Sequence, residues 1–299
     1  MFANIIRSII LNLGASITMA IETILLLIFW GALVGLVFSL VGAAGGILAS
    51  FGLITLIGVT DPNSIKPMAQ ILSLATALVF IPGYIRRHSA VMPLAMVLSA
   101  GGVMGAIVGS TLSSKYLSDM STFKPLFGLL TLIIGAQIIW EIYKQRNDNM
   151  SQISACHKGI HSVSTKNLTI NFSYADQDFR VNLWTPWLAG FLIAVIASAF
   201  GVGGGFLLVP FMVSFLRMPM FIVPATAAVV IFISGTISVT NYLKMGANIN
   251  WEILSFLIAG GIVGALIGPK INRIMQDKWL KILLATVLSL IGLKYALGL

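Results

Sequence analysis

The sequence predicts an all-α polytopic membrane protein, made of two homologous, inverted repeats of about four to five hydrophobic helices each, with glycine-broken helices. Three observations carry this. The chain is 58% hydrophobic and 9% charged, with a mean hydropathy of +0.99, whereas a soluble domain carries roughly a quarter charged residues and has no core able to hide so much apolar surface. Two stretches read as copies of each other: Ser39-Leu40-Val41-Gly42-Ala43-Ala44-Gly45-Gly46 matches Ser198-Ala199-Phe200-Gly201-Val202-Gly203-Gly204-Gly205 at an offset of 159. The same offset pairs Ala100–Gly109 with Ala259–Gly268, and Tyr84-Ile85-Arg86 pairs with Tyr242-Leu243-Lys244 one residue out of step. Finally, each copy opens on more than thirty uncharged residues, too long for one span when roughly 20 cross a bilayer.

The elements follow in order. Residues 1–21 are apolar but carry Arg7 and are interrupted by Asn4, Asn12, Ser16 and Thr18, which predicts an interfacial or partly inserted helix rather than a cleaved leader. The first repeat, 22–141, begins with an uncharged run from Thr23 to Thr60. Gly42–Gly46 falls near its middle, where contiguous glycines, each about 1 kcal/mol worse than alanine, should break a helix in two. Further spans are expected over Pro67–Ile85, Pro93–Ser113 and Pro125–Trp140, separated by charged turns. The linker, 142–185, is polar; Asn167–Tyr174 and Asp178–Trp184 alternate apolar and polar residues, which reads as a small extramembrane β-hairpin. The second repeat, 186–299, repeats the plan with a break at Gly201–Gly205 and spans over Ile222–Leu243, Ile253–Pro269 and Leu280–Leu297.

Charge sets the expected orientation. With five spans per half, one face collects Arg86, Arg87, Lys144, Arg146, Lys158, Lys166, Arg180, Arg217, Lys270, Arg273, Lys278 and Lys281, twelve of the eighteen basic residues. Four crossings per half would divide them almost evenly. The positive-inside rule therefore favours five, inverted repeats and a cytoplasmic linker in a cell (inner) membrane protein. The basic excess then marks topology, and nucleic acid is not an expected partner.

Function is expected at the breaks. Contiguous glycines leave backbone N–H groups without helical partners, and in hydrocarbon these must be buried in protein or face a wet cavity. A helix restarting at Ile47 or Phe206 aims its positive end there, which suits an anion. Gly42, Gly45, Gly46, Gly201, Gly203, Gly204 and Gly205 are accordingly candidate substrate-binding residues; the other reading is a purely structural break. Gln70, Thr226 and Asn241, polar residues in the spans beyond the breaks, are further candidates, although such residues more often bond a carbonyl one turn back. Arg86 and Lys244 occupy matching positions and are candidate cavity-mouth charges, against a plain loop-charge reading. Gly101/Gly105/Gly109 and Gly260/Gly264/Gly268, spaced by four, read as helix-packing rows.

Catalysis has little support. Cys156, His157 and His161 stand in the polar linker and His88 in a turn, no His-Glu-x-x-His is present, and neither a metal nor a cofactor is expected. Gly201–Gly205 follows an apolar helix and lacks the Lys-Ser/Thr of a phosphate loop.

With both glycine blocks in view, the chain resembles the sulfite exporter TauE/SafE family of duplicated integral membrane proteins. The most specific match is Gly201-Val202-Gly203-Gly204-Gly205-Phe206-Leu207-Leu208-Val209-Pro210 followed by Pro224-Ala225-Thr226. The resemblance covers about 22–141 and 186–299 and excludes the linker; in the first half, Ala44 stands where the second half has a glycine. It implies transport of sulfite, sulfonates or other small sulfur-containing or organic anions. The expectation is a secondary transporter with its site between the two broken helices, in contact with the lipid bilayer and a small anionic substrate, with a homodimer as an allowed assembly. A channel-like anion pore and a non-transporting scaffold subunit are the alternatives.

Overall fold

The computed structural model describes residues 2–41, 45–86, 91–145, 161–166, 169–174, 177–216, 218, 223–271 and 277–297. Side chains are described for these except 2–20, 41, 80–86, 141, 144–145, 161–181, 214, 224–225, 269–271 and 277–281. The element order is α1 (Phe2–Val41), α2 (Gly45–Thr55), α3 (Pro62–Arg86), α4 (Met92–Tyr116) and α5 (Met120–Gln145) in the first half. Then come β1 (His161–Lys166), β2 (Thr169–Tyr174) and β3 (Gln177–Asn182). The second half holds α6 (Trp184–Phe200), α7 (Gly205–Pro210) with a π-helical turn over Phe211–Phe215, α8 (Val223–Lys244), α9 (Trp251–Ile271) and α10 (Asp277–Ala296).

Among the described residues, five segments are long and apolar enough to cross a membrane: Ile21–Leu40, Met92–Tyr116, Met120–Trp140, Thr226–Lys244 and Trp251–Gly268. The protein is a polytopic helical membrane protein. Phe29, Met96, Leu129 and Leu266 are exposed along these helices, as lipid-facing side chains must be. α2, with 11 residues, is about 16 Å long, half the ~30 Å hydrocarbon thickness.

Glycine dictates which helices pair. A Cβ at Gly101, Gly105 or Gly109 of α4 would collide with the carbonyl oxygens of Trp187, Phe191 and Val195 on α6. A Cβ at Gly260 or Gly264 of α9 would collide with those of Ile28 and Ala32 on α1, and one at Gly268 with Ser39. Apart from Gly268, which meets the Ser39 side chain, the small-residue rows are thus glycine-on-backbone contacts. They join the first helix of one half to the fourth of the other, and the offset of 159 carries Trp187/Gly101 onto Ile28/Gly260. α5 and α10 run antiparallel, because Gly128 faces Tyr295 and Ala296 while Gly135 faces Ser289. α8 runs parallel to α4: Thr226 accepts the Val91 amide, and Asn241 bonds Ser110.

These directions sort the helix ends onto two faces. The linker face carries the ends of α3 and α5, the β-strands and the starts of α4, α6 and α8. The distal face carries Thr55 beside Tyr295, Lys66 beside Leu117, and Ser114 beside Met245. Pro67 and Pro125, expected at span starts, lie inside helices that begin five residues earlier, at Pro62 and Met120.

The linker strands form one antiparallel sheet in the order β1-β2-β3. β2 and β3 pair from Thr169↔Asn182 to Tyr174↔Gln177. The sequence reading contained this hairpin but not β1, which pairs with β2 through an irregularity between His161 and Ser164. α5 also runs past the expected boundary, to Gln145.

Candidate functional site: two helix breaks in contact

The second break is built by glycines no other residue would replace without strain. Gly201, Gly203 and Gly204 have φ of 72°, 78° and 65°, in the left-handed region that costs a side-chain-bearing residue about 1–2 kcal/mol. Gly201 is tight as well, since a Cβ there would stand 2.6 Å from Lys66 Cα. Around Gly203 and Gly204 there is room, with the nearest atoms 3.7 Å away on Ser73 and 3.4 Å away on Ala197. Only the backbone conformation demands glycine at those two positions.

Ending α6 inside the protein strands its last carbonyls, and other helices supply the donors. Tyr242 Oη donates to the Ser198 carbonyl at 2.9 Å and Ser113 Oγ to Ala199 at 2.6 Å, while Gln70 Nε2, at 3.4 Å, joins the Gly201 and Val202 amides on the Ala197 carbonyl. The chain restarts as α7, where Leu207 and Leu208 N–H both reach the Gly204 carbonyl. Pro210 has no amide hydrogen, and the ladder widens to a π turn directly after it. Helix therefore resumes at Gly205 rather than Phe206, and at Gly45 rather than Ile47 in the first half.

α2 folds back along α1. A Cβ at Gly45 would stand 2.7 Å from Phe38 Cβ. Further along, Trp30 Nε1 donates to the Leu48 carbonyl at 3.1 Å, and its ring packs on Gly52 and Phe51. Trp30 thereby clamps this returning segment. The two breaks touch: a Cβ at Gly46 would be 2.5 Å from the Val202 carbonyl oxygen. Gly42 lies outside the described residues.

The predicted polar residues divide. Gln70 is 2% exposed and stands at the second break, with its Oε1 lacking any hydrogen-bond partner; Ser50 Oγ in α2 is also unpartnered. A buried polar atom without a partner costs about 1–3 kcal/mol, so both mark places where a ligand or water would be welcome. Thr226 is fully buried at the start of α8 and holds the Val91 amide at 3.1 Å. Asn241 is drawn to α4, donating to Ser110 Oγ at 2.7 Å and Thr111 Oγ1 at 3.0 Å; its bonds are helix-to-helix. Lys244 is exposed in the last turn of α8. Arg86 ends α3, and its side chain lies outside those described.

Sequence reasoning missed Lys66. It is 0% exposed, its ammonium donating to Leu117 O at 2.7 Å, Asn63 Oδ1 at 3.3 Å and Ser113 O at 3.4 Å, 5.1 Å above the Phe123 ring. Its backbone forms the wall against Gly201. The available signal was a lysine next to Pro67 at the mouth of an apolar run, which also describes an ordinary loop charge. Among the described residues no group of His, Cys, Asp and Glu could hold a metal ion. Cys156 and His157 lie outside them.

Two helices broken at glycines, meeting inside a bundle of membrane spans, define the architecture of a membrane transporter. The chain matches the sulfite exporter TauE/SafE family over residues 27–295 and belongs to it. It is 27% identical over 273 residues to the probable membrane transporter protein YunE of Bacillus subtilis (strain 168), covering 89% of this chain and 95% of that one. A probable membrane transporter protein of Xylella fastidiosa (strain 9a5c) is 26% identical over 250 residues, covering 84% and 85%. Its counterpart in strain Temecula1 is 25% identical over 263 residues, covering 88% and 90%. No solved structure matches the chain.

Proposed function

We propose that this protein is a secondary transporter moving a small anion, sulfite, a sulfonate or a related organic anion, through a site where the two broken helices meet. The observation that carries the reading is the contact of Gly46 with Val202, which brings the start of α2 against the second break. Gly42, Gly45, Gly46, Gly203 and Gly204 offer backbone N–H groups for a negative charge, while Gly201 and Gly205, whose own N–H groups bond the Ala197 and Gly203 carbonyls, shape the break around them. Gln70 Oε1 accepts hydrogen and cannot meet a bare anion; it would take the hydrogen of a protonated oxyanion or of a water in its shell. Under the repeat offset, Lys66 on Gly201 corresponds to Ala225, which puts Thr226 beside the first break. Asn241 then serves by holding α8 on α4.

The repeats are inverted in this reading, with five segments in each half, and the linker is cytoplasmic. Arg86 then guards the linker face and Lys244 the distal face. The antiparallel pairing of α5 with α10 supports inversion. The test is uptake into proteoliposomes of sulfite, thiosulfate, sulfoacetate, taurine and simple carboxylates, with and without a pH gradient. Saturable, gradient-dependent uptake of one of these anions is expected. Non-saturating, gradient-independent flux would make the protein a channel-like pore instead.

A further inference from the structure

The geometry points to a second oxyanion-binding site on the distal face, in a cleft of about 340 Å³ between the end of α2, the first turns of α5 and the last turn of α10. Lys124 and Lys294 line it together with Ser121, Thr55 and Tyr295, and no carboxylate among the described residues does. Thr55 Oγ1 and Tyr295 Oη share one hydrogen bond of 2.5 Å, which leaves one hydroxyl hydrogen of the pair for a third partner. Two cations and two kinds of hydroxyl around an open cleft are what a sulfite, a sulfonate or a phosphate group requires.

Ordinary explanations cover part of this arrangement and not the rest. Lys294 lies in the last turn of α10, where the carbonyl end of a helix favours a cation. Lys124 is in the first turns of α5, at the positive end, where the same electrostatics disfavour it. The fold common to both halves does not need these groups either. The offset of 159 takes Lys124 to Leu283, Ser121 to Leu280, Lys294 to Gly135 and Tyr295 to Ala136. Nor does the positive-inside rule place them, because they stand on the face opposite the basic linker; this point rests on the orientation proposed above. A ligand on that face accounts for all three.

The oxyanion is either a solute captured on its way to α2 or the headgroup of an anionic lipid, and binding to the purified full-length protein separates them. Thermal stability in neutral detergent would be followed during titration with sodium sulfite and, separately, with short-chain phosphatidylglycerol, chloride balancing the ionic strength; every protein is also measured with Gly204→Ala added, so that sulfite at the central site does not contribute to the response compared. One of the two is expected to raise the wild-type melting temperature, which identifies the source. The double variant Lys124→Gln/Lys294→Gln should bind about tenfold more weakly or worse with its starting melting temperature unchanged. Lys115→Gln, an exposed lysine on the same face, should behave as wild type. A wild type that responds to neither ligand, or a double variant that responds like wild type, overturns the site. Since nothing in this test reads transport, such a result leaves the central site standing, and a normal uptake rate in Gly204→Ala would remove the central site without touching this one.

Discussion

At the scale of the residue, the two classes of glycine make opposite predictions. Gly204→Ala meets no backbone, since the nearest atom to its new methyl is Ala197 Cβ at 3.4 Å. Its cost is the left-handed conformation, about 1–2 kcal/mol, relieved only if the break itself shifts. Uptake per folded molecule should fall to background while most stability survives. Gly264→Ala instead drives a methyl into the Ala32 carbonyl, an overpacking that costs about 1–3 kcal/mol. Its melting temperature should drop while the surviving molecules transport normally. Matching losses of uptake in both variants would mean that the breaks are no more functional than the packing rows. Tyr242→Phe removes the donor to the buried Ser198 carbonyl and should cost about 1–3 kcal/mol, read as a lower denaturation midpoint. The glycines were legible because contiguous glycine in an apolar run has few meanings. Tyr242, Ser113 and Lys66 were not, because their partners are 44 to 86 residues away in the chain for the first two and 47 to 51 for the carbonyls held by the third. Asn241 makes the same point: a polar residue in a span shows that it needs a partner, not which helix provides it.

At the scale of the element, α2 is held as a short returning segment rather than a span. Trp30 supplies both an N–H for Leu48 and a ring against Gly52. Trp30→Phe keeps an aromatic ring and deletes one hydrogen bond, about 1 kcal/mol. The variant should show faster hydrogen exchange in α2 than in α4 or α9, with reduced uptake; unchanged exchange throughout α2 would show that the clamp is dispensable. Helix spans and breaks could be read from hydropathy because every segment is either apolar or charged. β1 could not, because His161-Ser162-Val163-Ser164-Thr165-Lys166 offers one large apolar residue and so no period of two. Its strand state comes from the edge of β2, a tertiary cause.

At the scale of the molecule, helix directions put the linker on one face and the α8–α9 turn on the other. In a Cys156→Ser background, Asn248→Cys should react with a membrane-impermeant maleimide in intact cells, and Ser164→Cys only after permeabilisation. The reverse pattern would turn the molecule over in the membrane, and labelling of both from outside would overturn the inverted arrangement. The repeat offset was visible in the sequence. The exchange of partners between halves was not, because spacing by four announces a close neighbour without saying whose.

That exchange constrains how the protein is made. The glycine-lined side of α1 waits for α9, more than two hundred residues later in synthesis, and until then its backbone faces lipid or a chaperone. Neither half is a finished folding unit, so truncation after the linker should yield protein that is inserted but rapidly degraded. Two separate genes, encoding residues 1–160 and 161–299, should restore transport when expressed together and give none when expressed singly. A chain assembled this way behaves as a swapped dimer whose two subunits happen to share one peptide backbone, with the linker setting their local concentration.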